Sequence, residues 1–116
     1  MIISNREEYV NYRFHRAEES YEEALILAKE ERWNAVINRL YYACFYAVIA
    51  LLIKNNISTQ THDGARTQFG LIFVKNGIID KESGKLFSKL FDYDEELTKP
   101  LINKVNEFLI EIKKHL

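Results

Sequence analysis

The sequence is nearly empty of the residues that punctuate turn-rich folds, with one proline and four glycines in 116 positions. That scarcity argues against many short strands joined by tight turns and favours long helices. One cysteine, Cys44, cannot form an internal disulfide, which removes the small disulfide-stapled secreted class. Charge of one sign is also missing: 16 basic and 17 acidic residues leave a formal net charge of -1. Bulk charge therefore does not suggest non-specific duplex binding, although a local basic site stays open. The longest unbroken apolar run, Leu40 to Ile53, is shorter than the roughly 20 residues that span a bilayer. The first residues, Met1 to Glu8, have no apolar core of the kind a signal peptide needs. These absences lead to the expectation of a soluble, cytoplasmic protein with no membrane association.

What is present suits one ordinary core. The chain is 47% hydrophobic and 28% charged, a globular balance. No repeat, linker or low-complexity tract divides it, so a single domain over 1–116 is expected. Val10, Phe14, Ala17, Tyr21, Ala24 and Ala28 recur at steps of three and four, which predicts an amphipathic helix from about Asn5 to Glu31. A second helix is expected from Trp33 to Lys54. Its later part is apolar on every face and so must be covered on every face. A small bundle covers one or two sides, and a second copy of the chain is the expected cover for the rest.

Three further helices complete the reading. One starts between Thr61 and Asp63 and runs to Lys75, with Phe69, Ile72 and Phe73 inward and Asn76-Gly77 as its stop. Another runs from Asp80 to about Phe91 on Leu86, Phe87 and Leu90, and Asp92-Tyr93-Asp94 reads as a turn. The last carries Leu101, Val105, Phe108, Leu109 and Ile112, and Pro100 moves its expected start from Glu95 toward Thr98. The predicted fold class is all-α, an up-and-down bundle of four to five helices.

Arg39 is the most informative polar residue, because it opens the long apolar run and cannot shed its charge. It must reach a carboxylate, water or an anionic ligand. Tyr42 and Tyr46 lie about one and two turns further along and share its face, while Asn38 lies about 100° away around the helix. A guanidinium with two phenols suits a phosphate and a stacked base. The alternative is an ion pair with a glutamate of the first helix and tyrosines that pack with wet hydroxyls. Thr61-His62-Asp63-Gly64 allows a helix start capped by Thr61 or Asp63, or a functional His62. His15 and His115 read as solvent-facing, and Cys44 as a small core residue. Three scattered histidines and one cysteine lack metal-ligand spacing, so no metal and no cofactor is expected.

The stretch Asn38-Arg39-Leu40-Tyr41-Tyr42-Ala43-Cys44-Phe45-Tyr46-Ala47 resembles the central helix of small prokaryotic HEPN-domain proteins of the toxin-like branch. Arg16-Ala17-Glu18…Ala24 and Thr61-His62-Asp63-Gly64…Phe69 resemble the flanking blocks at similar spacing. The resemblance implies a HEPN-like helical bundle that often dimerises, here through the second helix. It implies metal-independent endoribonuclease activity in many members, commonly as toxins of toxin-antitoxin pairs neutralised by a nucleotidyltransferase-type antitoxin. Arg39 matches the family's arginine, and Tyr46 stands where the catalytic histidine is expected, giving Arg39 and Tyr46 as candidate catalytic positions. Tyrosine, with a pKa near 10, is a poor general base at neutral pH. Asp92-Tyr93 resembles the remnant of a second block. The resemblance thus implies an RNA- or nucleotide-binding protein with Asn38, Arg39, Tyr42 and His62 at the site, possessing or having lost ribonuclease activity. The alternatives are a non-enzymatic helical interaction module or a partner subunit of a nucleotidyltransferase.

Overall fold

A computed structural model describes the backbone at 2–90 and 95–116 and the side chains at 5–90 and 98–116. The described residues form α1 (Ile2–Lys29), α2 (Trp33–Lys54), α3 (His62–Gln68), α4 (Lys81–Lys89) and α5 (Glu95–Lys113). A π-helical segment, Phe69–Val74, continues α3. There is no strand among the described residues, so the architecture is the expected all-α bundle. The Asp92-Tyr93-Asp94 turn and the Asp92-Tyr93 remnant lie outside the described residues.

The long antiparallel pair α1 and α2 is the spine, and α5 packs across it. Small residues bring the spine helices close: Ala17 and Ala24 of α1 and Ala43, Ala47 and Ala50 of α2 are wholly buried. Larger side chains fill the rest of the core. Val36, Leu40, Leu51 and Leu52 come from α2, and Leu101, Val105, Phe108 and Ile112 from α5. Fully burying one such large side chain contributes about 1.5–3 kcal/mol. Tyr21 of α1 donates its hydroxyl to the Ile102 carbonyl at 3.1 Å, which fixes α5 against the spine. α2 is long and apolar enough to cross a membrane by length and composition alone. Ten of its residues are instead buried inside the bundle, as in a core helix.

The expected all-round burial of α2 is incomplete. Tyr42, Phe45, Tyr46, Ile49 and Ile53 are only partly buried and form an open strip. Three boundaries also differ from expectation. α1 ends at Lys29, because Glu31 turns left-handed at φ 57° and the Arg32 amide donates to the Leu27 carbonyl at 3.0 Å. α5 begins at Glu95, with Pro100 inside it. Proline there removes one backbone bond, while buried Thr98 and Leu101 on either side hold the turn against the core. The third helix changes to π geometry at Phe69, which periodicity did not foresee. Its end agrees with expectation, since Gly77 takes φ +77°.

The αL turn at Glu31 gives a direct test. A side chain there costs about 1–2 kcal/mol that glycine avoids. Glu31→Gly is expected to raise the unfolding free energy by up to about 1 kcal/mol in urea titrations, with an unchanged m-value.

Candidate functional site

The short turn between α1 and α2 sets an antiparallel register that decides which side chains meet. Arg39 Nε lies 3.7 Å from Glu23 Oε1, with both side chains nearly half exposed. The ion pair with a first-helix glutamate is therefore present, but loose and solvated. Exposed pairs of this kind are worth at most about 1 kcal/mol. Two turns further along each helix, Arg16 faces Tyr46. The Arg16 guanidinium carbon sits 5.4 Å from the centre of the Tyr46 ring. Its guanidinium also hydrogen-bonds Glu19, at 3.0 Å, and the Tyr46 hydroxyl, which together hold its pKa above the ordinary arginine value.

Tyr42 and Tyr46 share the expected face, with ring centres 5.8 Å apart. Asn38 is exposed at the same end of α2 as Arg39. The structure then adds His62. Thr61 caps α3 by accepting the Gly64 amide at 2.8 Å, as one of the two readings of this segment expected. The cap does not exclude the other reading. It places His62 at the first position of α3, where its ring stacks on Phe45 with centres 4.1 Å apart and planes at 23°. Tyr42 meets the His62 ring edge-on at 6.2 Å. His62 Nδ1 shares a hydrogen bond of 3.1 Å with the Tyr41 hydroxyl. Nδ1 is thereby engaged, and when the hydroxyl donates to it the proton resides on Nε2. Burial pushes the Tyr41 phenol above its ordinary pKa, opposed by the nearby charge of Arg66. Tyr41 therefore stays neutral at physiological pH and can donate.

The result is one face built from α2 and the start of α3. Tyr42, Phe45, Tyr46 and His62 supply rings, while Arg16 and Arg39 supply cations at its margin. It can stack a flat group and pair with an anion. Tyr46 is committed to Arg16, and the imidazole comes from His62 on another helix. Two contributors were not singled out from the sequence. Arg16 could have been found from the hairpin register, since the pairing of Glu23 with Arg39 places Arg16 beside Tyr46. Phe45 has no such signal, because an aromatic in an apolar run reads as core.

The remaining candidates divide plainly. Cys44 is fully buried, and burial raises its thiol pKa well beyond the ordinary value, so it is a packing residue and not a thiolate nucleophile. His15 is exposed beside Glu19, at 3.7 Å. His115 departs from the solvent-facing expectation: it is half-buried, with Nε2 3.7 Å from Glu111. No cluster of His, Cys, Asp or Glu suited to a metal occurs among the described residues.

This bundle and its α2 face define a helical domain of one class. The HEPN domain matches residues 10–115, and the chain belongs to the HEPN family. It is 35% identical over 97% of its length to a UPF0332 protein of Thermotoga maritima, of which it covers 94%. It is 32% identical over 86% of its length to a Methanocaldococcus jannaschii protein bearing the name "Putative toxin", covering 83% of it. A second protein of that name and organism is 30% identical over 87% of this chain, with 77% of the relative covered.

Proposed function

We propose that this chain is a toxin-type HEPN protein that binds single-stranded RNA on the α2–α3 face and acts as a homodimer. The observation that carries the reading is the His62 ring, stacked on Phe45 and hydrogen-bonded to Tyr41 beside Tyr42. Unstacked RNA bases are recognised by rings of this kind with a cation nearby for phosphate. Arg39 and Asn38 would meet the phosphate and sugar at the open end of the face. His62 Nε2 stands as the candidate for proton transfer, in place of Tyr46. The names of the two archaeal relatives agree with a toxin role, for which a nucleotidyltransferase-type antitoxin is the expected partner.

Self-association has its own support. At Ile53 the open strip of α2 reaches a surface hollow shared with Tyr9 of α1, 61% accessible, and with half-buried Ile57. An apolar stripe running along two helices suits an isologous contact.

The Arg39–Glu23 pair favours a second reading, in which Arg39 is structural and the chain is a non-enzymatic interaction module. Arg39→Ala separates the two. On the RNA reading, affinity for a labelled single strand falls about tenfold while the melting temperature is unchanged, the size expected for a lost charge-assisted contact of about 1.5 kcal/mol. On the structural reading the melting temperature falls and RNA affinity does not change.

A further inference from the structure

A second basic feature lies beyond the α2 face, where the π-helical segment meets α4. The Lys75 amide bonds the Gly70 carbonyl at 2.9 Å, the i to i+5 pattern of π geometry. Gly84 lets α4 come close: a Cβ there would lie 3.0 Å from both Val74 methyl groups. Gly70 faces open space, with nothing within 4 Å of where its Cβ would be. Between them is a cleft of about 280 Å³ with Phe69 and Phe87 at its floor.

Its rim is of one sign. Arg66, Lys81, Lys85 and Lys89 line the cleft, and no carboxylate does among the described residues. The three lysines recur one turn apart on α4 and so share its cleft-facing side. Lys85 has a loose partner in Glu82 at 3.9 Å, and Lys81 and Lys89 have no ion-pair partner among the described residues. The groove on the other side of α4 is different in kind. Lys85 and Lys89 border that groove too, where Asp80, Glu82, Glu107 and Glu111 join Lys104 and Lys114, so of the four cations only Lys81 and Arg66 line the cleft alone. The cleft itself is lined by cations without a carboxylate among the described residues, in a chain whose net charge is -1.

Arg66 joins this cleft to the α2–α3 face. It lies one turn beyond His62 on α3, bonds Asp63 at 2.7 Å, and its charge is felt at the Tyr41 hydroxyl that holds His62. A polyanion seated on His62 therefore meets Arg66 next and the lysine row after it.

We propose that the cleft between the π segment and α4 is a phosphate-backbone subsite for single-stranded RNA, with Lys81, Lys85 and Lys89 on successive phosphates and Arg66 bridging to the His62 face. This rests on the RNA reading of that face. The cleft is at the small end for ligand sites and recessed, which suits one strand passing through and not a duplex or a flat lipid surface.

The test is fluorescence anisotropy of a labelled oligouridylate against sodium chloride concentration. The triple variant Lys81→Gln/Lys85→Gln/Lys89→Gln should bind roughly tenfold more weakly at low salt, with a salt slope shallower by about 2, from about 0.7 per lost phosphate contact. Gly70→Met keeps every charge, fills the cleft and should weaken binding several-fold. A triple variant with wild-type affinity and slope overturns the subsite; if His62→Ala still loses binding, the RNA reading of the face stands without it. If the triple variant loses binding and both His62→Ala and Arg39→Ala keep it, the cleft stands and the reading of the face fails. Displacement of the RNA by polyglutamate as readily as by unlabelled RNA overturns the subsite, because charge alone would then suffice. Wild-type protein that binds no RNA overturns both.

Discussion

Phe108→Ala is expected to cost about 3–5 kcal/mol of stability, the range for truncating a buried phenylalanine. Phe108 is 1% exposed and packs against two rings, Phe69 at 6.0 Å and Phe87 at 6.1 Å. Those two rings meet edge to face at 5.6 Å, and Phe87 stacks on Tyr41 at 6.0 Å. An aromatic chain thus runs from α5 through α4 to the residue that bonds His62. Removing its first ring leaves a cavity that helices from three parts of the chain would have to collapse to fill. With total stabilities of about 5–15 kcal/mol, such a loss takes a large share of the whole. Thermal melts should show a fall of more than about 10 °C. Phe108→Leu, which refills part of the volume, should lose less than half as much. Equal losses for the two variants would mean that ring stacking, and not volume, holds this part of the core.

His62→Ala is expected to lower single-strand RNA affinity about 5- to 150-fold, the equivalent of one base–ring stack of about 1–3 kcal/mol. The Thr61 cap does not use the His62 side chain, so the loss of stability should be about 1 kcal/mol, that of the hydrogen bond it shares with Tyr41. His62→Phe keeps a ring on Phe45 but removes the titratable nitrogen. It should retain affinity within a few-fold and lose any cleavage the wild type shows. Binding assays with a labelled strand, run beside gel-resolved digestion of the same strand, read both properties. If His62→Phe cleaves as well as wild type, proton transfer belongs elsewhere.

The fold was legible because its signals are local. The three-and-four spacing in α1 and α5 placed their buried faces, and Asn76-Gly77 marked a stop that the structure realises with positive φ at Gly77. The errors came where tertiary packing outweighs a local preference. Pro100 reads as a start signal, yet buried Thr98 and Leu101 hold a helix on both sides of it. The π segment at Phe69–Val74 leaves no mark in the three-and-four spacing of Phe69, Ile72 and Phe73.

The site was legible only in part, for the same reason. Arg39, Tyr42 and Tyr46 lie on one helix, so helical geometry alone puts them on a shared face. His62 meets Phe45 across two elements, through a connection whose path no spacing rule gives. The capping and functional readings of Thr61-His62-Asp63-Gly64 also looked like alternatives, whereas the cap is what aims the imidazole at α2. The position of Tyr46, where the family's histidine is expected, gains meaning beside this. The tyrosine serves as a seat for Arg16, and an imidazole reaches the same face from α3.

The most direct measurement is the ¹H–¹⁵N long-range spectrum of the His62 imidazole during titration with a short single-stranded RNA. Bound RNA should shift the Nε2 signal and its attached ring protons in a saturable way, with the same dissociation constant that anisotropy gives. Saturable RNA binding that leaves the His62 signals unmoved would contradict the assignment of this face as the RNA site.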